Sequence, residues 1–280
     1  MRFHLLGSAA GKPVPRTFCR CRVCEYALQE GGPDLRTRTG MNLFLDGDDS
    51  REPLYRIDLP PDTGHHMMVH RFNLNRLEHL LFTHSHDDHF DLLYLTHRGR
   101  LMSDRNEMPH LNLYGSKETG ERLAERNLDM ENLGLSFHVV EPFKPFEAGE
   151  LEIFPVAGNH IPGTLHYVVR HNGKNVLLAW DTGWYEDKTW DALKDCICDA
   201  IFMECTTFGG DESIRFSGHL NFYSLRMMRE KLIELGVITE SCPYTTVHMG
   251  DNGHLLHSER IDLAEPWNIT VGYDGLNLNL

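Results

Sequence analysis

Residues 83–89 read Thr83-His84-Ser85-His86-Asp87-Asp88-His89, and the arrangement His84-x-His86-x-Asp88-His89 decides how the rest of the chain is read. Four potential metal ligands fall within six positions, three of them imidazoles. The preceding His79-Leu80-Leu81-Phe82-Thr83 has the apolar character of a buried strand, which puts the motif in the loop at its end. Such a loop is rigidly based and can aim several side chains at one point. His84 and His86 can face one cation while Asp88 and His89 turn toward a second. Neutral imidazole with carboxylate suits zinc, manganese or iron in an open site. The chain holds 18 histidines, so isolated pairs arise by chance and the pattern needs support elsewhere.

Three later stretches offer it. An apolar run from Leu151 ends in Val156-Ala157-Gly158-Asn159-His160, so His160 sits just past a strand. Val176-Leu177-Leu178-Ala179-Trp180-Asp181 delivers Asp181 into a turn, and Tyr244-Thr245-Thr246-Val247-His248 repeats the arrangement. Singly, each reads as an ordinary turn residue. Strand-like runs cover residues 2–7, 41–46, 54–59, 79–83, 111–114, 136–141, 151–157, 165–171, 175–180, 200–205, 244–248 and 269–273. Helices are expected at 116–127 and 220–235; in the latter Phe222, Leu225, Met228, Leu232 and Leu235 recur at core spacing before Gly236. Periodicity alone supports an α/β or α+β fold.

Composition narrows the partners. The 280 residues with 41% hydrophobic content suit one domain over 1–280. The net charge of −14 sets the overall field against long nucleic acid, and Lys117 with Arg98 and Arg100 are too sparse to make a basic patch. No apolar run is long enough to span a membrane, and Met1-Arg2-Phe3-His4-Leu5-Leu6-Gly7 reads as a first strand rather than a signal peptide. Seven cysteines, an odd number, do not suggest a disulfide framework, so a reducing cytoplasm is expected.

A second constellation is Cys19-Arg20-Cys21-Arg22-Val23-Cys24. Three thiolates so spaced can converge on one tetrahedral zinc, with a fourth ligand from elsewhere. Three unrelated thiols, or a redox pair at Cys21 and Cys24, are the alternatives; the redox pair lacks its usual strand-to-helix setting.

The His84–His89 motif with His160, Asp181 and His248 in that order resembles the metallo-β-lactamase superfamily. The resemblance implies an αββα sandwich, two mixed sheets packed face to face with helices outside. It also implies that His84, His86 and His160 hold one metal, Asp88, His89 and His248 another, and that Asp181 bridges them. A Gly-rich opening loop, the Cys-x-Cys-x-x-Cys cluster and the closing Val271-Gly272-Tyr273-Asp274-Gly275 are similar to the PhnP branch of cyclic-phosphate phosphodiesterases. In that branch the cysteines and a histidine form a structural zinc site; here the corresponding position is Asp251, with His254 and His257 as alternatives. His219, in Ser217-Gly218-His219-Leu220-Asn221, matches a histidine that the branch places beside the substrate. Gly7-Ser8-Ala9-Ala10-Gly11 is also similar to PqqB, whose relatives lack the full metal set kept here.

The reading that follows is a hydrolase with two catalytic divalent metals, zinc or manganese, and one structural zinc. Its expected substrate is a small cyclic phosphodiester of the phosphoribosyl cyclic phosphate type. Asp88 and Asp181 belong to the catalytic centre and His219 is the expected general acid. A tRNA-processing or exonuclease activity, and a PqqB-like accessory or carrier role without turnover, are the alternatives. A homodimer is compatible with this reading.

Overall fold

The computed structural model describes residues 1–99, 108–209, 212–214, 216, 218–251 and 253–280. Arg100 and Ser217 lie outside the described residues. Two seven-stranded sheets organise the chain. The first runs β14 (Asn277–Asn279), β1 (Arg2–Gly7), β2 (Gly40–Phe44), β3 (Tyr55–Ile57), β4 (His79–Leu81), β5 (Leu111–Gly115) and β6 (Leu135–Val139). The second runs β13 (Thr270–Val271), β12 (Tyr244–Val247), β11 (Ala200–Glu204), β10 (Lys174–Ala179), β9 (Leu165–His171), β8 (Leu151–Ala157) and β7 (Phe146–Ala148). Each sheet has an antiparallel half and a parallel half. The parallel pairings are β3 to β6 in the first and β10 to β13 in the second.

Side-chain alternation explains the layering. On β10, Val176 and Leu178 enter the core between the sheets, while Leu177 and Ala179 enter the layer beneath the helices. On β4, Leu81 faces inward and Leu80 outward. Phe3 of the first sheet and Phe202 of the second meet in the middle with ring centroids 6.0 Å apart. The β9–β10 hairpin turns at Asn172-Gly173, both at positive φ (49° and 73°), the geometry a two-residue turn requires between right-twisted strands.

Helices α1 (Arg22–Glu30), α2 (Thr63–His70), α3 (Leu93–Thr96), α4 (Lys117–Ala124), α5 (Met130–Leu133), α6 (Asp187–Leu193), α7 (Phe222–Glu234) and α8 (His257–Ala264) complete the αββα sandwich. The helix expected at 116–127 starts after the Ser116 cap, whose Oγ accepts from the Thr119 N–H at 3.2 Å. The one expected at 220–235 starts at Phe222 because Asn221 Oδ1 accepts from the Ser224 N–H at 2.8 Å. No helix among the described residues is long and apolar enough to cross a membrane.

Candidate metal centre

The chain brings its charged side chains to the carboxyl ends of the parallel strands, where an open α/β sheet leaves its crevice. His84, His86, Asp88 and His89 follow β4; His160 follows β8; Asp181, Glu204 and His248 lie at or just past the ends of β10, β11 and β12. The strands expected over 54–59 and 79–83 stop at Ile57 and Leu81, which frees Asp58 and Thr83 to turn toward the same place. Two contacts join the sheets there. Tyr167 of β9 donates its hydroxyl hydrogen to Phe82 O at 2.6 Å, and the buried Trp180 donates Nε1–H to Asp58 Oδ2 at 2.7 Å.

The histidines are turned by their outer nitrogens. His89 Nδ1 lies 2.8 Å from Asp58 Oδ2, His160 Nδ1 2.8 Å from Gly218 O, and His248 Nδ1 3.1 Å from Thr206 Oγ1. His84 Nδ1 is 3.1 Å from Thr83 Oγ1, a hydroxyl already committed as donor to Asp58 Oδ2. With each Nδ1 facing an acceptor, each Nε2 is left with its lone pair pointing into the centre, the arrangement that makes imidazole a metal ligand. His86 is the reverse: its Nδ1 points inward, 3.0 Å from His84 Nε2 and 3.1 Å from His160 Nε2.

The donors form overlapping groups, among them His84–His86–His160, Asp88–His89–His248, His84–His89–Asp181 and His160–Asp181–His219, with the ligand atoms of each within 4.8 Å of one another. Asp181 lies between. One carboxylate oxygen is 3.0 Å from His89 Nε2 and 3.2 Å from His248 Nε2; the other is 3.7 Å from His160 Nε2. His89 Nε2, His248 Nε2 and Asp181 Oδ2 are buried with no hydrogen-bond partner. Such orphaned atoms facing one another are expensive unless a cation sits among them, so this donor set fits divalent metal ions. The same pull is visible on protons. Burial works against a charged His89, yet Asp181, Asp88 and Asp58 together hold its pKa well above the ordinary value. Asp181 and His248 both adopt left-handed backbone (φ 67° and 50°), strain of a kind that collects at functional sites.

His219 stands beside this set. Its Nδ1 is 3.1 Å from Glu204 Oε1 and 3.7 Å from Asp181 Oδ1, and its ring stacks on His248 at 5.5 Å between centroids. Burial lowers its pKa, but the Glu204 hydrogen bond and the nearby carboxylate charges outweigh that and raise it to about 9. Glu204 is fully buried and also accepts from Thr182 N at 2.6 Å and Thr206 Oγ1 at 2.6 Å. Neither Glu204 nor Asp58 is singled out by sequence reasoning. Their signal is a carboxylate closing an otherwise apolar strand, where an unpaired charge would be costly.

The cysteine cluster is separate. Cys19, Cys21, Cys24 and Asp251 bring four donor atoms within 4.8 Å of one another. The segment is more than a loop: Cys21 caps α1 and Cys24 lies in its first turn. Burial pushes the Cys24 thiol up to about 11, which does not suit a redox nucleophile. His257 begins α8 with its ring edge-on to Tyr273, and His254 is exposed at φ 52°; the fourth donor beside the thiols is Asp251, 4% exposed.

Residues 57–255 match the family described as the Beta-lactamase superfamily domain, a span holding every donor of the first centre. The chain therefore belongs to the metallo-β-lactamase superfamily of metal-dependent hydrolases. It is 25% identical, over 319 aligned positions covering all of both chains, to the coenzyme PQQ synthesis protein B of Methylobacterium radiotolerans. The structure of zinc-bound PqqB from Methylobacterium extorquens superimposes with a TM-score of 0.75 at 19% identity, covering 100% of each chain. A diphosphatase of the PhnP family superimposes with a TM-score of 0.75 at 21% identity, covering 100% of this chain and 97% of that one.

Proposed function

We propose that the protein is a phosphodiesterase with a two-metal centre, acting on a small cyclic phosphodiester of the phosphoribosyl cyclic phosphate type. His84, His86 and His160 would hold one ion, Asp88, His89 and His248 the other, with Asp181 shared. Two zinc or manganese ions so held supply an activated water and neutralise charge on phosphoryl oxygens. The chain's own residues do the rest. Asp58, Thr83, Gly218 and Thr206 fix the tautomers of His89, His84, His160 and His248. Glu204 holds the Nδ1 proton of His219, and the Nε2 proton of the same imidazolium would pass to the departing alkoxide.

The observation that carries this reading is His219. Its Nδ1 lies beside a buried carboxylate that, with the neighbouring acidic groups, raises its pKa to about 9, which suits protonation of a poor alcohol leaving group. The likeness to a PhnP-family diphosphatase adds weight to phosphate chemistry. The full-length similarity to a PQQ synthesis protein favours a second reading, a carrier or accessory protein without turnover. We place a structural zinc at Cys19, Cys21, Cys24 and Asp251 in either case. Metal-loaded protein should be assayed with bis(p-nitrophenyl) phosphate, ribose cyclic phosphates, diphosphate esters and short RNA. Turnover of the cyclic esters above the others supports the proposal. Turnover of none, with metals bound, leaves the accessory reading.

A further inference from the structure

At the far end of the first sheet from the metal centre, a cavity of about 450 Å³ opens between β1, β2 and the end of α2. The run of the chain keeps the two apart. Gly7 and Gly40 pair at the metal end, where Ala9 bridges to Met249 beside His248; Arg2 pairs with Phe44 at the other. Five residue steps of β1 lie between, roughly 16 Å of extended strand. Arg2 and His4 reach the cavity from the outer face of the sheet, because Phe3 and Leu5 at the alternate positions enter the core.

The wall is cationic in a chain whose net charge is −14. Arg2, Arg51 and Arg71 converge there, and Asp49 is the one acidic residue lining it. Asp48 close by is already engaged: it accepts from the Ser50 N–H at 2.9 Å and lies 3.6 Å from Arg76. No carboxylate among the described residues pairs with Arg2, Arg51 or Arg71. The Arg2 guanidinium is fixed by its backing. It lies 3.7 Å over the Phe44 ring, and Nη2 donates to Ser50 O at 3.3 Å. His4 and His70 add a wall of two imidazoles, edge to face with centroids 5.0 Å apart. Burial first, then the neighbouring His70, Arg2 and Arg56, lower the His4 pKa to about 4, the direction that an uncancelled positive field gives.

Like charges gathered without a counter-ion repel one another, so the cavity favours an anion. Guanidinium groups present their N–H donors in a fork that matches phosphate oxygens. A carboxylate offers two oxygens and one charge; a phosphate monoester offers three oxygens and nearly two charges, the better match to three arginines. The volume leaves room for an organic part against Phe44 and Phe72. We propose that this cavity is a second, non-catalytic site that binds a small phosphate monoester, with Arg2, Arg51 and Arg71 on the phosphate. The site stands whether or not the metal centre hydrolyses phosphodiesters.

Ribose 5-phosphate is the probe and ribose its uncharged control, each titrated calorimetrically into metal-loaded full-length protein. Two variants separate the sites. Asp181→Ala breaks the metal centre. Arg51→Gln with Arg71→Asn strips the rim of the cavity; both arginines are exposed, and Asn tolerates the left-handed backbone of Arg71 at φ 55°. One equivalent of ribose 5-phosphate should bind the Asp181→Ala protein with the affinity of the same site in the wild type. The double variant should keep its metal content and melting temperature while that binding weakens by about 10- to 100-fold, the usual loss when charged hydrogen bonds go. Ribose should not bind. Binding that vanishes in Asp181→Ala and survives in the double variant puts the phosphate on the metals and overturns the second site. Equal binding of ribose, or no binding of ribose 5-phosphate to the wild type, overturns it as well. Should Asp181→Ala fail to fold, the double variant decides against the wild type.

Discussion

The two donor clusters solve the same problem in different materials. The centre at the strand ends draws imidazoles and carboxylates from loops after β4, β8, β10 and β12, so it exists only when both sheets are packed. The cysteine cluster takes three of its donors from six consecutive residues at the start of α1 and one from the far side of the chain at Asp251. In the first, buried acceptors such as Asp58 and Thr206 stand behind His89 and His248 and turn them. In the second, Arg16 contacts Asp251, Cys19 and Cys24. Imidazole and carboxylate donors suit an open, exchangeable site, while thiolates with one carboxylate suit a closed one.

Four substitutions probe that contrast. The largest effect belongs to Asp181→Ala, which removes the shared carboxylate: hydrolysis should fall by on the order of 10⁴-fold or more. Elemental analysis should show loss of the catalytic ions, about two per chain, with the cysteine-bound zinc kept. Loss of all metal together would mean the clusters are not independent. His219→Ala comes next. Diesters with poor alcohol leaving groups should slow by roughly 10²–10⁴-fold while p-nitrophenyl esters slow far less. Equal slowing of both removes His219 as the acid.

A smaller effect is expected of Glu204→Gln, read in the pH profile. His219 is raised to about 9, so its proton is present at neutral pH and is lost as pH rises through that value. Turnover of poor leaving groups should therefore decline above about pH 9, and the Gln variant should move that decline to lower pH. An unmoved basic limb would detach Glu204 from the proton. Least affected in rate is Cys21→Ser, where activity per folded molecule should change little. Its melting temperature should drop by roughly 5–10 °C as the zinc is lost. A folded, zinc-replete Cys21→Ser protein without activity would merge the two clusters into one function.

Much of the fold is legible in the chain because the buried strands are long and apolar. Val176–Ala179 and Ile201–Met203 cannot be read otherwise. The strands β7 and β14 escape notice because they are three-residue edge strands with half their side chains in water. The helix α2 reads Thr63-Gly64-His65-His66-Met67-Met68-Val69-His70, with no amphipathic stripe to announce it. Sequence spacing finds the donors that touch a common point, since those come as motifs. It misses the residues that aim them, Asp58 and Thr206, and Glu204 beside His219, because each is a single polar side chain whose partner lies far along the chain.

The hydrogen bond from the Trp180 indole to Asp58 has an optical consequence. Asp58 Oδ2 holds both the indole N–H, at 2.7 Å, and His89 Nδ1, at 2.8 Å. The fluorophore is thus separated from an inward-facing imidazole by one carboxylate and is wholly shielded from water. Any change of charge on that imidazole alters the electrostatic field along the indole and shifts its emission. Titrating zinc into metal-free protein should therefore give a spectral change that Trp180→Phe abolishes, so the chain carries its own reporter of how the centre is filled.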